Sequence, residues 1–554
     1  MSFITLDPNS CQAFDTWRTC RTHLADAIES FVAASVYLND FVRLQHENHM
    51  RQTIEPVLAG IDRELRSLAL DEVRLNNTRL SLITTRNTSM ALTPLHLLPA
   101  DILSNIFLEL NRSEDHSRKN IPPAYLVTAV SSRWRNLSLH NPTLWRDISI
   151  TTAQNSYKYA SLLATRARPA PIYLYIFEPR QVAGVQSWHG DRETDALSFL
   201  DQTNSWVQRL EIVSHTYSTH CIDMALKSWL QHGSTAPRKK LCIKRPVAHL
   251  VPDRLPLHWT FSFRSLEHSE AVLHSVISLH LQEFVVPWTS AAYHNLIDLR
   301  LQFSSSSEAK IPLAVLASIF EKSSRLEILK IAALDIQDSD TPTMPPARLL
   351  SDLKMMYLGA MSSKSFQLLS QAISLSDCKE PLSVCFDLEG QAELAGPLAH
   401  LLRNAPVQNL VLSQSYTSGV TFRWAVSLSE NISSLKTLVL AGFDGAAQTG
   451  LWDLATVQDK TEEITNKRIA RLPQLYLSAS DFHLSEIKFI VYSLGVQNLH
   501  LEGCNNLITD DPWAPVTIET FEARLLEEIP GIRCVISEWE TTSDWPCRNI
   551  FDTE

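Results

Sequence analysis

The chain has 554 residues, 45% of them apolar and 20% charged, with a formal net charge of −11. That length exceeds what one compact core organises, so several domains or one elongated array is expected. The negative charge repels phosphate backbones and no long basic stripe offsets it, and no apolar run reaches the length of a bilayer span, which argues against nucleic acid and membrane as partners.

The first residues, MSFITLDPNSCQAFDTW, lack a basic stretch followed by an apolar core, so cytoplasm or nucleus is the expected compartment. From about residue 12 to 52 the pattern is helical, with Leu24, Ile28, Phe31, Leu38 and Val42 on one face. Pro56 is expected near the first turn of a second helix, where its missing N–H costs little. Leu58, Ile61, Leu65, Leu68, Leu75 and Leu82 then follow alternating steps of three and four, with gaps at Glu72 and Arg79. A charge-broken heptad stripe of this kind pairs with another helix. It fits either a coiled coil between chains or an antiparallel hairpin folding on itself or along the next domain. Thr84 to Thr93 reads as a polar linker.

Residues 94–148 carry the most specific signal: PLHLLPADILSNIFLEL, a polar insert, then AYLVTAVSSRWRNLSLHNPTLWRDI. Pro99 suits a helix first turn, and Asp101 complements its positive end. Ile102, Ile106 and Leu110 share a face, with Leu103 and Phe107 in an adjoining row. A second helix offers Val127, Val130, Trp134 and Leu137, Asn141-Pro142 ends it, and Leu144-Trp145 follows as an apolar lid. Two such helices carry more apolar surface than a fifty-residue unit can bury, which implies a partner.

This arrangement resembles the F-box: L-P-x-[DE]-[IL]-L in the first helix, a helix ending in R-W-R, then P-x-L-W. The resemblance implies that Leu98, Pro99, Ile102, Leu103, Ile106 and Phe107 form the surface for a Skp-type adaptor, which connects to a cullin. Trp134 and Trp145 match the family's signature tryptophans and are expected in the box core. Two departures stand out: Ser131-Ser132 occupies the stretch where the family usually has a Cys, and Asn111–Asn120 is a longer insert than the minimal motif. Together with the helical segment before the box and Tyr159–Phe177 after it (helix, Arg/Pro turn, alternating strand), the order of parts resembles fungal F-box proteins with leucine-rich tails.

Beyond the box, a frame of apolar-x-x-apolar-x-apolar recurs. It starts at Val207, Val276, Leu296, Leu326, Leu353, Val407, Leu435, Leu472 and Val496, and LSVCFDLE at 382–389 fills the double-length step between Leu353 and Val407. Helical stretches such as Ile311–Lys322, Ala392–Arg403, Ser485–Leu494 and Ile518–Ile529 lie between. Strand then helix at this period marks a leucine-rich-repeat solenoid with degenerate repeats, since the Asn or Cys that closes the strand turn is mostly missing. A parallel-sheet α/β domain is the alternative. In a solenoid the residue between the last two apolar positions faces away from the core. Those residues are His280, Arg300, Lys330, Tyr357, Val411, Val439, Tyr476 and His500, a mixed row suited to holding a protein target.

Catalysis has no evident carrier. No Gly-rich phosphate loop, H-E-x-x-H or nucleophile elbow occurs, and the cysteines never space as C-x-x-C. Cys504 reads as a buried ladder residue. The expected architecture is therefore α/β: a helical hairpin or coiled coil (1–90), a three-helix F-box (94–150), an irregular leucine-rich-repeat-like solenoid (151–540) and a tail (541–554). The expected function is a non-enzymatic substrate-recognition adaptor of a Skp–cullin–F-box ubiquitin ligase, with an unspecified protein target and neither cofactor nor metal. The alternative is an F-box interaction scaffold without a ligase role; an enzyme with an α/β C-terminal domain is a more distant one.

Overall fold

The computed structural model describes residues 8–47, 51–88, 98–112, 123–151, 157–179, 191–216, 219–246, 257–258, 266–304, 309–338, 347–387, 394–414, 422–430, 432–443, 472–478, 482, 484–504 and 518–537. Two compact units emerge, Met1–Leu103 and Ser104–Glu554. The expected tail and most of the Asn111–Asn120 insert lie outside the described residues.

In the first unit, α1 (Pro8–Glu47) and α2 (Arg51–Thr88) are long helices. Helix α2 continues through Thr84–Thr88, which the polar composition assigned to a linker, and Pro56 sits inside the helix beyond its opening turn. Leu24, Ile28, Phe31 and Leu38 on α1, and Leu58, Leu65, Leu68, Leu75 and Leu82 on α2, are all exposed. Among the described residues of these two helices none is buried. The two stripes therefore do not close into a hairpin core within this unit.

Around the box the order is α3 (Ala100–Arg112), α4 (Pro123–Val130), α5 (Ser132–Leu139) and a short 3-10 turn at Pro142–Trp145. The single helix expected over 124–140 is two. Ser131 is extended (φ −153°, ψ 164°), and its side-chain oxygen accepts the Trp134 N–H at 3.1 Å, a helix N-cap. Ser131, one of the two serines noted in the sequence before Trp134, thus serves as a cap. The break also turns Val130 outward, so the stripe expected from Val127 to Leu137 is not continuous.

The rest of the second unit, with three further two-stranded sheets and the connecting helices among the described residues, is built on a fourteen-stranded sheet. Its strands are β1 (Asp147–Thr151), β2 (Ile172–Glu178), β3 (Val207–Ser214), β4 (Lys239–Lys244), β5 (Val276–Gln282), β6 (Asp298–Gln302) and β7 (Ile328–Ala332). They continue as β8 (Met355–Gly359), β9 (Leu382–Asp387), β10 (Val407–Ser413), β11 (Thr437–Ala441), β12 (Gln474–Ser478), β13 (Asn498–Glu502) and β14 (Arg533–Ser537). Each pairs in parallel with the next in chain order, and that order never reverses. A doubly wound sheet would reverse at a switch point, so the repeats form a solenoid. The first crossover helix is α6 (Tyr157–Ala167), and most later strands are likewise joined by one helix. The frame leucines, such as Leu279, Leu299, Leu329 and Leu438, are fully buried.

Among the strands outside the frame, β4 and β14 carry a substituted apolar position. In β4, Lys239 pairs in register with Val276, so a lysine occupies the first apolar position. It is 2% exposed. Its ammonium donates to the Val207 carbonyl at 3.0 Å and lies 5.2 Å from the Trp229 ring centre, while burial pushes its pKa down to about 8. In β14, Cys534 aligns with Leu499 and takes a leucine position.

The strand ends show how turns close without Asn or Cys. The first residue after β5, β7, β8, β11 and β13 has positive φ: Glu283 (53°), Ala333 (50°), Ala360 (50°), Gly442 (74°) and Gly503 (58°). At three of these positions the N–H bonds to the next strand: Glu283 to Gln302 O (3.0 Å), Ala333 to Gly359 O (2.9 Å) and Gly442 to Ser478 O (2.9 Å). A left-handed residue bends the chain off the sheet while keeping its donor satisfied.

Candidate functional site

Two surfaces are built by this fold. The first is on α3, where residues four apart stack on one face. Ile102, Ile106 and Leu110 are 46%, 39% and 44% exposed, whereas Leu103 and Phe107 are each 1% exposed. The six residues expected at an adaptor surface are therefore divided. Ile102, Ile106 and Pro99 face solvent, Leu98 is half-buried, and Leu103 and Phe107 belong to the interior. The exposed stripe instead continues to Leu110, and Leu126 and Val130 on α4 are exposed too.

Trp134 packs against the inner row of α3, with its ring centre 4.9 Å from that of Phe107. Trp145 is 1% exposed, donates its indole N–H to the Ser138 carbonyl at 2.7 Å, and is covered by the Arg166 guanidinium 4.6 Å from its ring centre. That last contact joins the Pro142–Trp145 turn to the first crossover helix, α6.

The second surface is the sheet face opposite the frame leucines. His280, Arg300, Lys330 and Tyr357 align in register across β5 to β8, and Val411, Val439, Tyr476 and His500 align across β10 to β13. Cys385 on β9 bridges the two runs, and Cys242, Glu211 and Tyr175 extend the row towards β2. All eight expected target-binding residues thus share one row, but they are not uniformly available. Cys385, Val411 and Val439 are fully buried, packed with Met355, Tyr357 and Tyr476. Lys330 and Arg300 are only 2% and 7% exposed. Large neighbours on the adjacent columns shut solvent out of the middle of the row. At the far end the Tyr476 and His500 rings stack at 4.3 Å.

Glu211 follows from the same positional rule applied to the Val207 frame. Cys242 does not, because Lys239 disguises its frame. Cys242 helps to line a concavity of about 270 Å³ over β3–β6, with Arg209, Lys240, Leu241, Lys244, Ser278, His280, Gln282, Asp298, Arg300 and Gln302. Two of these cations grip Glu211, Arg209 at 2.9 Å and Lys244 at 3.1 Å. Burial alone would raise its carboxyl; the two cations outweigh burial and hold it below its ordinary value. Arg300 holds Asp298 through two parallel bonds, Nε–Oδ1 at 2.9 Å and Nη2–Oδ2 at 3.1 Å. His280 lies between Cys242 Sγ (3.4 Å) and Gln302 Oε1 (3.2 Å).

A Cys–His contact in a concavity invites a nucleophile reading, and the electrostatics oppose it. Burial, with the nearby Glu211 charge, pushes the Cys242 thiol up to about 12. Burial and Lys244 push the His280 imidazole down to about 4. Both partners are neutral at pH 7, so the imidazole neither carries the thiol's proton nor stabilises a thiolate. Among the described residues no group of three or more His, Cys, Asp or Glu side chains is arranged to hold a metal ion, and no helix is long and apolar enough to cross a membrane.

No family model and no curated protein matches this chain. Among solved structures, the crystal structure of the Rad7 and Elc1 complex in yeast is similar at a TM-score of 0.34 and 12% identity, over 85% of this chain and 97% of that one.

Proposed function

We propose that the chain is a non-catalytic substrate-recognition adaptor of a Skp–cullin–F-box ubiquitin ligase. The box docks the Skp-type adaptor, and the open face of the repeats holds a protein target. The observation that carries this reading is the division on α3: Ile102 and Ile106 are 46% and 39% exposed beside a row, Leu103 and Phe107, that is fully packed. A helix that keeps one apolar row inside and a second outside is suited to receive another helix in its groove. The sequence around it has the order of F-box motifs, with Trp134 packed against Phe107 on the helix's inner row.

The chemistry in this reading is proximity. A target held on the sheet face is presented at high effective concentration to a conjugating enzyme carried by the cullin, and no residue of this chain transfers ubiquitin. The neutral Cys242–His280 pair agrees with that division of labour.

The test is co-expression of the chain with a Skp-type adaptor and a cullin, comparing wild type with the Leu98→Ala/Pro99→Ala variant. Co-purification of adaptor and cullin with wild type, reduced in the variant, supports the reading. Adaptor without cullin indicates an interaction scaffold, and equal recovery with both chains overturns docking through the box.

A further inference from the structure

The stripes of α1 and α2 match each other, yet both stand in water. Core positions recur at alternating steps of three and four from Phe14 to Leu38 on α1 and from Leu58 to Leu82 on α2, eight on each helix. Eleven large apolar side chains at these positions are 37–60% exposed. The polar exceptions are Arg21 and Ser35 on α1, and Glu72 and Arg79 on α2.

We infer that two copies of this chain pair through these helices, α1 of one antiparallel to α2 of the other, in one register. Core residues of such a pair meet in layers. With Phe14 opposite Leu82 and Leu38 opposite Leu58, all eight positions on each helix find a partner. The same register accounts for the charges. Arg79 falls opposite Trp17, where a guanidinium can lie over an indole face. Arg21 falls opposite Leu75, and Glu72 opposite Leu24, in adjacent layers on the same side of the interface, which brings guanidinium and carboxylate within reach. Other pairings lose this match. Parallel helices in register would set Arg21, Glu72 and Arg79 each against its own copy. Two α2 helices, antiparallel and fully overlapped, would put both Glu72 side chains in neighbouring layers, and two α1 helices offer Arg21 no carboxylate at a core position.

Within one chain this pairing is not made, since the stripes are exposed. Only three residues separate helices of 40 and 38 residues, and a short hinge between complementary elements favours their exchange between copies. At roughly 80 Å² of apolar surface per side chain, two copies would bury about 1,800 Å², the size of a stable protein–protein interface. The exchange is two-fold symmetric, each copy giving α1 and receiving α2. An assembly with two repeat faces then holds a target bearing two binding segments with added avidity.

The experiment uses the full chain at low micromolar concentration and is independent of adaptor docking. Light scattering after size exclusion should give twice the 62.5 kDa of one chain. Ser35→Cys/Ile61→Cys, in a Cys20→Ser background, places two thiols in one layer, and oxidation should yield a covalent dimer on a non-reducing gel. Arg21→Glu should raise the dissociation constant of the dimer about fivefold or more, by sedimentation equilibrium, and Arg21→Glu/Glu72→Arg should restore it. Melting of the repeats should be the same in all these chains, because the altered side chains are not buried. A wild-type mass of one chain overturns the inference, as does a crosslink confined to single chains, which would mean that the hairpin closes on itself. A dimer without the crosslink, unchanged affinity in Arg21→Glu, or no recovery in the charge-exchanged chain overturns it equally.

Discussion

His280 sits where burial, Lys244 and Arg300 all disfavour a positive charge, opposed by the Gln302 contact and Asp298, and its pKa is about 4 in place of 6.5. At about 1.4 kcal/mol per unit, the displacement corresponds to roughly 3 kcal/mol. Because the folded-state value is the lower one, the unfolded chain takes up a proton first as pH falls. Nothing is lost above pH 6.5, and stability drains away between about 6.5 and about 4. Replacing His280→Gln keeps a polar partner for Gln302 and removes the titration. Urea unfolding of wild type and variant at pH 7 and pH 4.5 isolates the effect, since every other titrating group is common to both. Wild type should lose about 2–3 kcal/mol more than the variant over that interval. Equal losses in the two chains would refute the placement of His280 as a desolvated, neutral imidazole.

Three further outcomes follow from packing and strain. Trp145→Ala should cost about 3–5 kcal/mol, read by chemical denaturation, because it removes a fully buried ring, its bond to Ser138 and the surface under Arg166. Ala333→Gly and Ala360→Gly should each leave stability unchanged or raise it by up to about 1 kcal/mol, despite a more flexible unfolded chain, since both alanines hold a left-handed backbone; a clear loss in melting temperature would contradict the turn geometry. Iodoacetamide at pH 8 should label the exposed Cys20 well before Cys242, whose thiol is pushed up to about 12, with peptide mass spectrometry reporting the order.

Much of the solenoid is legible because strand periodicity is local. The recurring apolar frame locates most of the strands, and alternation along each strand places one residue per repeat on a common face. Burial depends on neighbours that alternation does not name, which is why Val411 and Val439 point the expected way yet are closed off by Met355, Tyr357 and Tyr476. Where a repeat carries a lysine in an apolar position, as Lys239 does, the pattern vanishes although the strand persists, because a long side chain can reach a carbonyl from inside the core. The strand turns were equally opaque, since Ala and Glu carry no signature of a left-handed backbone. On α3 the motif merges two apolar rows; only packing separates Leu103 and Phe107 from Ile102 and Ile106. The break at Ser131 was readable in principle, as a Ser before a new helical turn, but the apolar run through Val130 masked it.

The account rests on the outward row of α3 as a docking surface, and one substitution addresses it with little risk to the fold. Ile106 is 39% exposed, so Ile106→Asp adds a charge at the proposed contact while leaving Phe107 and Trp145 in place. Calorimetric titration of purified Skp-type adaptor into wild type and Ile106→Asp, both with intact melting transitions, should show tight binding to the first and a loss of about 2 kcal/mol or more in the second. Equal affinity for the two chains, or no binding to wild type, would contradict it.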